Sequence, residues 1–118
     1  MLPSYMAWEI TYYNERVVQE IVALPITIRA RYFHLIDRIE RHGPNLGMPH
    51  TKAMGDGLFE MRMKGREGIG RALFCSVVGQ RIVILHSFVK KTQKTPQREL
   101  DKAIQRMKEV KANEPKRT

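Results

Sequence analysis

The chain has 118 residues, 42% of them hydrophobic, and a formal net charge of +9 at pH 7, which predicts one folded domain and excludes a disordered polypeptide. Its pI of about 10.1 favours a polyanionic partner: nucleic acid, a ribosomal surface, an acidic protein or, least of all, an anionic membrane. No apolar run approaches the length of a membrane-spanning helix, the first residues lack a secretory signal, and the single cysteine excludes an internal disulfide, so a cytoplasmic protein is expected.

The first half of the chain predicts one strand and a helical hairpin. Residues Trp8 to Tyr13 are rich in aromatic and β-branched side chains, which is typical of a strand. Asn14 is a good N-cap for a short helix that stops before Pro25. A second helix extends from there to Gly43-Pro44, because apolar residues recur at helical spacing, namely Ile28, Tyr32, Leu35, Ile36 and Ile39.

Three consecutive strands are predicted after a loop over residues 43–57. Residues 58–63 alternate between apolar and charged side chains and predict a half-buried strand, followed by a glycine-rich hairpin loop over residues 64–70. Residues 71–78 predict the next strand, and a two-residue turn leads to a nearly continuous apolar strand over residues 81–89. A continuous apolar run is typical of a central strand that is covered on both faces.

A basic connector over residues 90–94 leads to the last helix, for which Thr95 is a candidate N-cap and Pro96 suits the first turn. The order β-α-α-β-β-β-α predicts a small α+β domain over residues 1–112, followed by a basic, frayed tail over residues 113–118. In this arrangement the three later strands form an antiparallel meander, the first strand pairs at one edge, and the helices pack on one face.

Positive charge is concentrated in the strand region. Residues 60–98 carry nine lysines and arginines against two glutamates, whereas the charges of residues 1–59 balance to zero. Charge that is held on a rigid sheet is typical of a protein that binds phosphates.

Three stretches of this region resemble the phage-derived HigB branch of the RelE toxin superfamily. They are Leu58–Arg62, Arg71–Phe74 and Ile84–Pro96, and the most specific part is the aromatic, double-lysine and Thr-Pro pattern of Phe88–Pro96. The resemblance covers nearly the whole chain and implies a small RelE-like fold. It also implies the toxin of a toxin–antitoxin pair, a ribosome-dependent endoribonuclease that cuts mRNA.

The resemblance further implies the partners of the protein. They are a cognate antitoxin, which in this branch usually carries a HigA-like helix-turn-helix domain, and the 70S ribosome with its mRNA. No metal and no organic cofactor are implied. The histidines His34, His42 and His50 are widely spaced and lack a cysteine cluster, so a zinc site is not predicted either.

Metal-free RNA cleavage requires a deprotonated 2′-hydroxyl, a stabilised phosphorane and a protonated leaving 5′-oxygen. Arginine suits the second task, because its guanidinium stays charged and binds phosphate oxygens in pairs. Arg71 stands where the family keeps a phosphate-binding arginine, although a solvated charge at a strand end is the alternative. Some RelE members carry lysines at the positions of Glu60 and Arg62, so Arg62 keeps the positive charge of the family and Glu60 reverses it. Glu60 is therefore a candidate base, an orienter of Arg62, or half of an exposed ion pair.

Lysines after the central strand are the next candidates. Lys91 aligns with a catalytic arginine of other family members and, among other cations, has the potential to exchange protons near neutrality. Alternatively, Lys90, Lys91 and Lys94 only attract the RNA backbone. Two further candidate RNA contacts lie in the predicted hairpin loop, Lys64 and Arg66.

Aromatic chemistry late in the chain is sparse. No Tyr, Trp or His follows Phe88, which leaves either Phe88 or ribosomal RNA to stack on a base. His86 is predicted to share a strand face with Ile84 and Phe88, as a buried structural histidine rather than a catalytic one.

Two other functions stay open at this point. ParE toxins share the fold and inhibit DNA gyrase without catalysis, and a plain nucleic-acid-binding module would carry the same charge. Four basic residues are predicted to converge on the sheet, namely Arg62, Arg71, Lys90 and Lys91. They favour the nuclease, because a gyrase inhibitor does not require convergent cations there.

Overall fold

The computed structural model describes residues 7–90 and 94–114, which form five strands and three helices. The strands are β1 (Glu9–Tyr12), β2 (Thr51–Gly55), β3 (Leu58–Gly65), β4 (Gly68–Val77) and β5 (Arg81–Lys90). The helices are α1 (Glu15–Val22), α2 (Ile26–His42) and α3 (Gln97–Ala112). No helix in the described ranges is long and apolar enough to cross a membrane.

All five strands form one sheet in the order β1-β5-β4-β3-β2. Strands β2 to β5 pair with one another in antiparallel fashion, and β1 pairs in parallel with β5 at one edge. The predicted α+β class, the antiparallel meander and the edge position of the first strand are therefore confirmed.

The loop predicted over residues 43–57 contains an additional strand, so the order is β-α-α-β-β-β-β-α. Strand β2 is short and pairs only with β3, where Thr51 lies opposite Met61 and Lys52 opposite Glu60. Edge strands are often short and carry charged side chains, so their hydrophobic pattern is weak. Glycines and prolines also surround this segment, which is why the sequence pattern indicated a loop.

The hairpin loop predicted over residues 64–70 is mostly a strand ladder. The register runs to Gly65 opposite Gly68, which leaves a turn of only two residues. Glycine is needed at this end of the sheet because helix α2 passes close to it. A Cβ atom on Gly65 would lie 2.5 Å from Thr27 Oγ1, and one on Gly70 would lie 2.5 Å from Ile28 Cγ2. The glycines mark a close approach between helix and sheet rather than a loop.

The helices cover both faces of the sheet, and the prediction that they pack on one face is wrong. Helices α1 and α2 pack on one face, against Met61, Met63, Ala72, Phe74, Ile82 and Ile84. Helix α3 packs on the opposite face, against Leu58, Leu73, Cys75, Val83 and Leu85. The reason is that β4 and β5 are apolar at consecutive positions, so side chains on both faces require burial.

The second helix has the apolar stripe that the sequence predicts. All five predicted positions are buried, namely Ile28, Tyr32, Leu35, Ile36 and Ile39. Asn14 caps α1 as expected, because its side chain accepts a hydrogen bond of 3.0 Å from the amide of Val17. These elements hold one side of the sheet rigid and leave the end of the α3 face to polar residues.

A bulge in β5 changes which side chains share a face. Phe74 lies opposite Ile84, but Leu73 lies opposite His86, so Leu85 is the extra residue. After this bulge His86 and Phe88 lie on the α3 face, while Ile84 belongs to the opposite core. The prediction that His86 shares a face with Ile84 is therefore wrong, since strict alternation fails at the bulge.

Candidate active site

Three residues that were predicted to be catalytic come together on the α3 face of β3 and β4. Arg62 lies directly opposite Arg71 in the antiparallel register. Glu60 is two positions before Arg62 and therefore faces the same side. The Nε atom of Arg71 lies 3.8 Å from Oε1 of Glu60. The strand register thus places two guanidinium groups and one carboxylate close together on the α3 face, next to the apolar residues that α3 covers.

Arg71 is buried, which excludes the alternative of a solvated charge at a strand end. Its side chain is 0% exposed, and that of Glu60 is 7% exposed. The predicted start of this strand is wrong, because β4 begins three residues earlier and Arg71 therefore lies inside the strand. Burial lowers the pKa of Arg71, the neighbouring charge of Arg62 lowers it further, and Glu60 raises it.

Glu60 links the sheet to the segment that precedes α3. Its second carboxylate oxygen, Oε2, accepts a hydrogen bond from the hydroxyl of Thr95. Thr95 was predicted to be the N-cap of the last helix, but Pro96 occupies that position and no side chain caps the helix. Glu60 is too deeply buried to form the solvent-exposed ion pair that was one of its alternatives.

The aromatic candidate lies beside this cluster. Phe88 is directly opposite Arg71 and is half-buried, and its ring centroid lies 5.4 Å from that of His86. His86 is buried as predicted, and its Nε2 atom lies 3.3 Å from Oε1 of Glu99 in α3. Burial lowers the pKa of His86, and Glu99 raises it in part.

Two of the candidate lysines continue the basic surface. Lys64 lies opposite Ile69, which in turn lies opposite Lys90, so these three residues form a row across the strands. This row is two positions along the strands from that of Arg62 and Arg71, so it is the next row on the same face. Lys64 is exposed and Lys90 is half-buried. The sheet therefore presents basic side chains in two successive rows of one face.

The remaining candidates lie apart from these rows or outside the described residues. Arg66 is in the turn between β3 and β4, where its amide donates a hydrogen bond of 2.9 Å to the hydroxyl of Thr27. Lys94 is exposed just before Thr95. Lys91, a predicted catalytic residue, falls outside the described residues.

Two residues of this region were not foreseen. Lys52 lies opposite Glu60 on β2 and was missed because its strand was predicted to be loop. The only sequence signal for it was the β-branched Thr51 next to it. Thr95 was identified as a helix cap, and no sequence pattern indicated its contact with a carboxylate 35 positions away.

Other chemistries find little support in the described part of the chain. Within residues 7–90 and 94–114, no group of three His, Cys, Asp or Glu side chains is placed to hold a metal ion. Cys75 is buried, which raises the pKa of its thiol to about 11 and makes it a packing residue rather than a nucleophile.

Comparisons with known proteins add a family and a fold. A protein family described as "Phage derived protein Gp49-like" matches residues 19–108. A free mutant of the Escherichia coli toxin RelE is similar in structure at 15% identity, with a TM-score of 0.56 and coverage of 86% of this chain and 99% of that chain. A chain of the archaeal RelE–RelB complex from Pyrococcus horikoshii OT3 is similar at 18% identity, with a TM-score of 0.54 and coverage of 75% and 100%. No curated protein sequence matches. The predicted RelE-like fold is confirmed.

Proposed function

This chain belongs to the family of phage-derived Gp49-like proteins, and on that basis we propose that it is the toxin of a toxin–antitoxin pair and cuts mRNA as a ribosome-dependent endoribonuclease. The fold that it shares with the Escherichia coli toxin RelE supports this class of function. The RelE–RelB complex supports an antitoxin as its partner, for which a HigA-like helix-turn-helix protein is our proposal.

One observation carries the proposal: Arg62 lies directly opposite Arg71 on the face of the sheet. Like charges at directly opposed positions destabilise a sheet, and burying a guanidinium adds a desolvation penalty. The sheet tolerates both penalties at one point, next to the buried carboxylate of Glu60. Such an arrangement is expected where the ligand is a phosphate whose two oxygens accept a pair of hydrogen bonds, or a phosphorane with its greater negative charge.

The two arginines have different roles in this proposal. Arg62 is half-buried and contacts the RNA phosphate, whereas Arg71, on the neighbouring strand, is fully buried and adds a fixed positive charge from a water-poor position. Charges act more strongly in such surroundings than in water. Glu60 then positions the guanidinium of Arg71 rather than acting first as a base.

The proposed reaction transfers the proton of the 2′-hydroxyl to the neutral amine of Lys91 as the 2′-oxygen attacks the adjacent phosphorus. The bond from phosphorus to the 5′-oxygen breaks, and that oxygen takes up a proton from solvent water. A 2′,3′-cyclic phosphate and a 5′-hydroxyl result. We propose Lys91 for proton exchange and Phe88 for stacking on a base, with Lys64, Lys90, Lys94 and Arg66 attracting the RNA backbone.

Transcript mapping after expression of the chain in growing bacteria tests this function. We expect growth arrest together with new 5′ ends inside translated codons, and Arg62→Gln should abolish both. Arg41→Gln is the matched control, because Arg41 is exposed on α2 and pairs with Asp37 at 3.3 Å. Intact transcripts in arrested cells would contradict the nuclease, and arrested replication would favour a ParE-like inhibitor of gyrase.

A further inference from the structure

A second cationic feature lies at the edge of the sheet. A cavity of about 270 Å³ is lined there by Arg31, Pro49, His50, Arg62, Lys64 and Ile69. It exists because β2 begins only at Thr51 and leaves the outer edge of β3 uncovered beyond that point. The carbonyl oxygen of His50 accepts a hydrogen bond of 3.0 Å from the amide of Arg62, which holds the preceding segment at this edge.

The ionisable side chains that line this edge cavity are all basic. Arg31 comes from α2, His50 from the segment before β2, and Arg62 and Lys64 from β3. Among the residues that the structure describes, no carboxylate lines the cavity. Burial lowers the pKa of His50, and the neighbouring charges of Arg38 and Arg31 lower it further, which indicates a positive potential.

The contact between Arg31 and His50 defines which hydrogen-bond donors the edge cavity offers. The Nη2 atom of Arg31 lies 3.4 Å from Nδ1 of His50. A guanidinium donates hydrogen bonds and cannot accept them, so Nδ1 is the acceptor and the proton of neutral His50 lies on Nε2. The cavity therefore combines N–H donors with positive charge, as an anion site requires.

We propose that the edge cavity binds a backbone phosphate of single-stranded RNA, next to the phosphate held at Arg62 and Arg71. This inference rests on the proposed function, and Arg62 connects the two sites because it borders both. A volume of about 270 Å³ holds more than one anionic group, and Pro49 and Ile69 give it an apolar wall that suits a ribose. A single carboxylate of an acidic peptide would leave that wall unused, which favours RNA.

The salt dependence of RNA binding tests the edge cavity without requiring cleavage. The probe is a short 2′-O-methylated single-stranded RNA, which lacks the attacking hydroxyl, and binding is followed by fluorescence anisotropy at several salt concentrations. Each phosphate contact contributes about 0.7 to the slope of log K against log salt for single strands. We expect Arg31→Gln to reduce the slope by about 0.7, while Arg41→Gln on the same helix leaves it unchanged. Circular dichroism confirms that both variants are folded, and Arg31→Met replaces Arg31→Gln if that variant is not.

Each outcome of this experiment either supports or overturns phosphate binding at the edge cavity. An unchanged slope in the folded Arg31 variant overturns the proposal, as does a wild-type protein that fails to bind the RNA. A loss of affinity for an oligoglutamate peptide, with RNA binding unchanged, would assign the edge cavity to an acidic protein segment and also overturn it. A reduced slope together with intact transcripts in cells supports the edge cavity and contradicts only the nuclease.

Discussion

Arg71 and Glu60 form an ion pair inside the sheet, with 3.8 Å between Nε and Oε1 and almost no exposure of either side chain. The attraction between two such charges must offset the free energy lost when both leave water. Buried ion pairs contribute little net stability, but removing one partner lowers the free energy of unfolding strongly. The pair therefore holds a positive charge inside the sheet without stabilising the fold much.

Removing the carboxylate from this pair should destabilise the protein. Glu60→Gln leaves the guanidinium of Arg71 buried beside a neutral amide, and we expect the free energy of unfolding to fall by about 3 kcal/mol. Urea denaturation measures this change. Asp37→Asn is the control, since it removes a partner of the exposed pair with Arg41 and should cost less than about 1 kcal/mol. Equal effects of both variants would contradict the burial of Glu60.

Replacing both partners should separate stability from function. The double variant Glu60→Leu with Arg71→Met exchanges the ion pair for apolar side chains of similar size. Because no buried charge remains, its free energy of unfolding should lie within about 1 kcal/mol of the wild type or above it. RNA cleavage should nevertheless be lost. A double variant that is stable and still arrests growth would remove Arg71 from the mechanism.

Arg62→Gln should affect activity far more than stability. Its side chain is half-buried, and its loss removes a like charge opposite Arg71, so the midpoint of urea unfolding should change little or rise. Cleavage should fall by about 10²-fold or more, the usual effect of removing one donor that stabilises a transition state. Quantitative primer extension provides the measurement, and a tenfold or smaller effect would shift the main role to Arg71.

The pH dependence of stability should report the burial of His86. Its folded pKa lies below the ordinary value of 6.5, so the unfolded chain binds more protons as the pH falls through that value. The contribution of neutral His86 to the free energy of unfolding is therefore fully present above about pH 6.5 and declines below it. In urea denaturation at about pH 7.5 and about pH 5.5, His86→Gln should lose less stability than the wild type. His34→Gln, an exposed position, should follow the wild type.

The close approach of α2 to the sheet makes Gly65 intolerant of a side chain. A Cβ atom there would lie 2.5 Å from Thr27 Oγ1 and 3.0 Å from the backbone nitrogen of Ile28. The helix must move to make room, so Gly65→Ala should lower the free energy of unfolding by about 1–3 kcal/mol. Lys64→Ala, the exposed neighbour on the same strand, should change it by less than about 0.5 kcal/mol. A neutral Gly65→Ala would show that α2 lies farther from the sheet.

Local patterns were sufficient to predict most of the fold. The stripe of α2 follows from helical periodicity, and the long strands follow from their apolar runs. Alternation along a strand also placed Glu60 and Arg62 on one face correctly. These features depend on residues that are near one another in the chain.

The position of Arg71 depends on register, which the sequence does not specify. A loop over residues 64–70 would place Arg71 opposite Met63, whereas the observed two-residue turn places it opposite Arg62. A shift of one residue moves a side chain to the other face of a sheet. The bulge at Leu85 and the contact of Thr95 with Glu60 are likewise products of tertiary packing.

The chemistry of the cut ends is the most direct test of the central claim, that Arg62 and Arg71 stabilise the attack of a 2′-hydroxyl on the RNA backbone. Purified protein is incubated with ribosomes that are translating a defined mRNA, and the ends of the fragments are identified. We expect a 2′,3′-cyclic phosphate upstream and a 5′-hydroxyl downstream, with fragments from Arg62→Gln reduced by about 10²-fold or more. Fragments with a 5′-phosphate, or an mRNA that stays intact with the wild-type protein, would contradict the account.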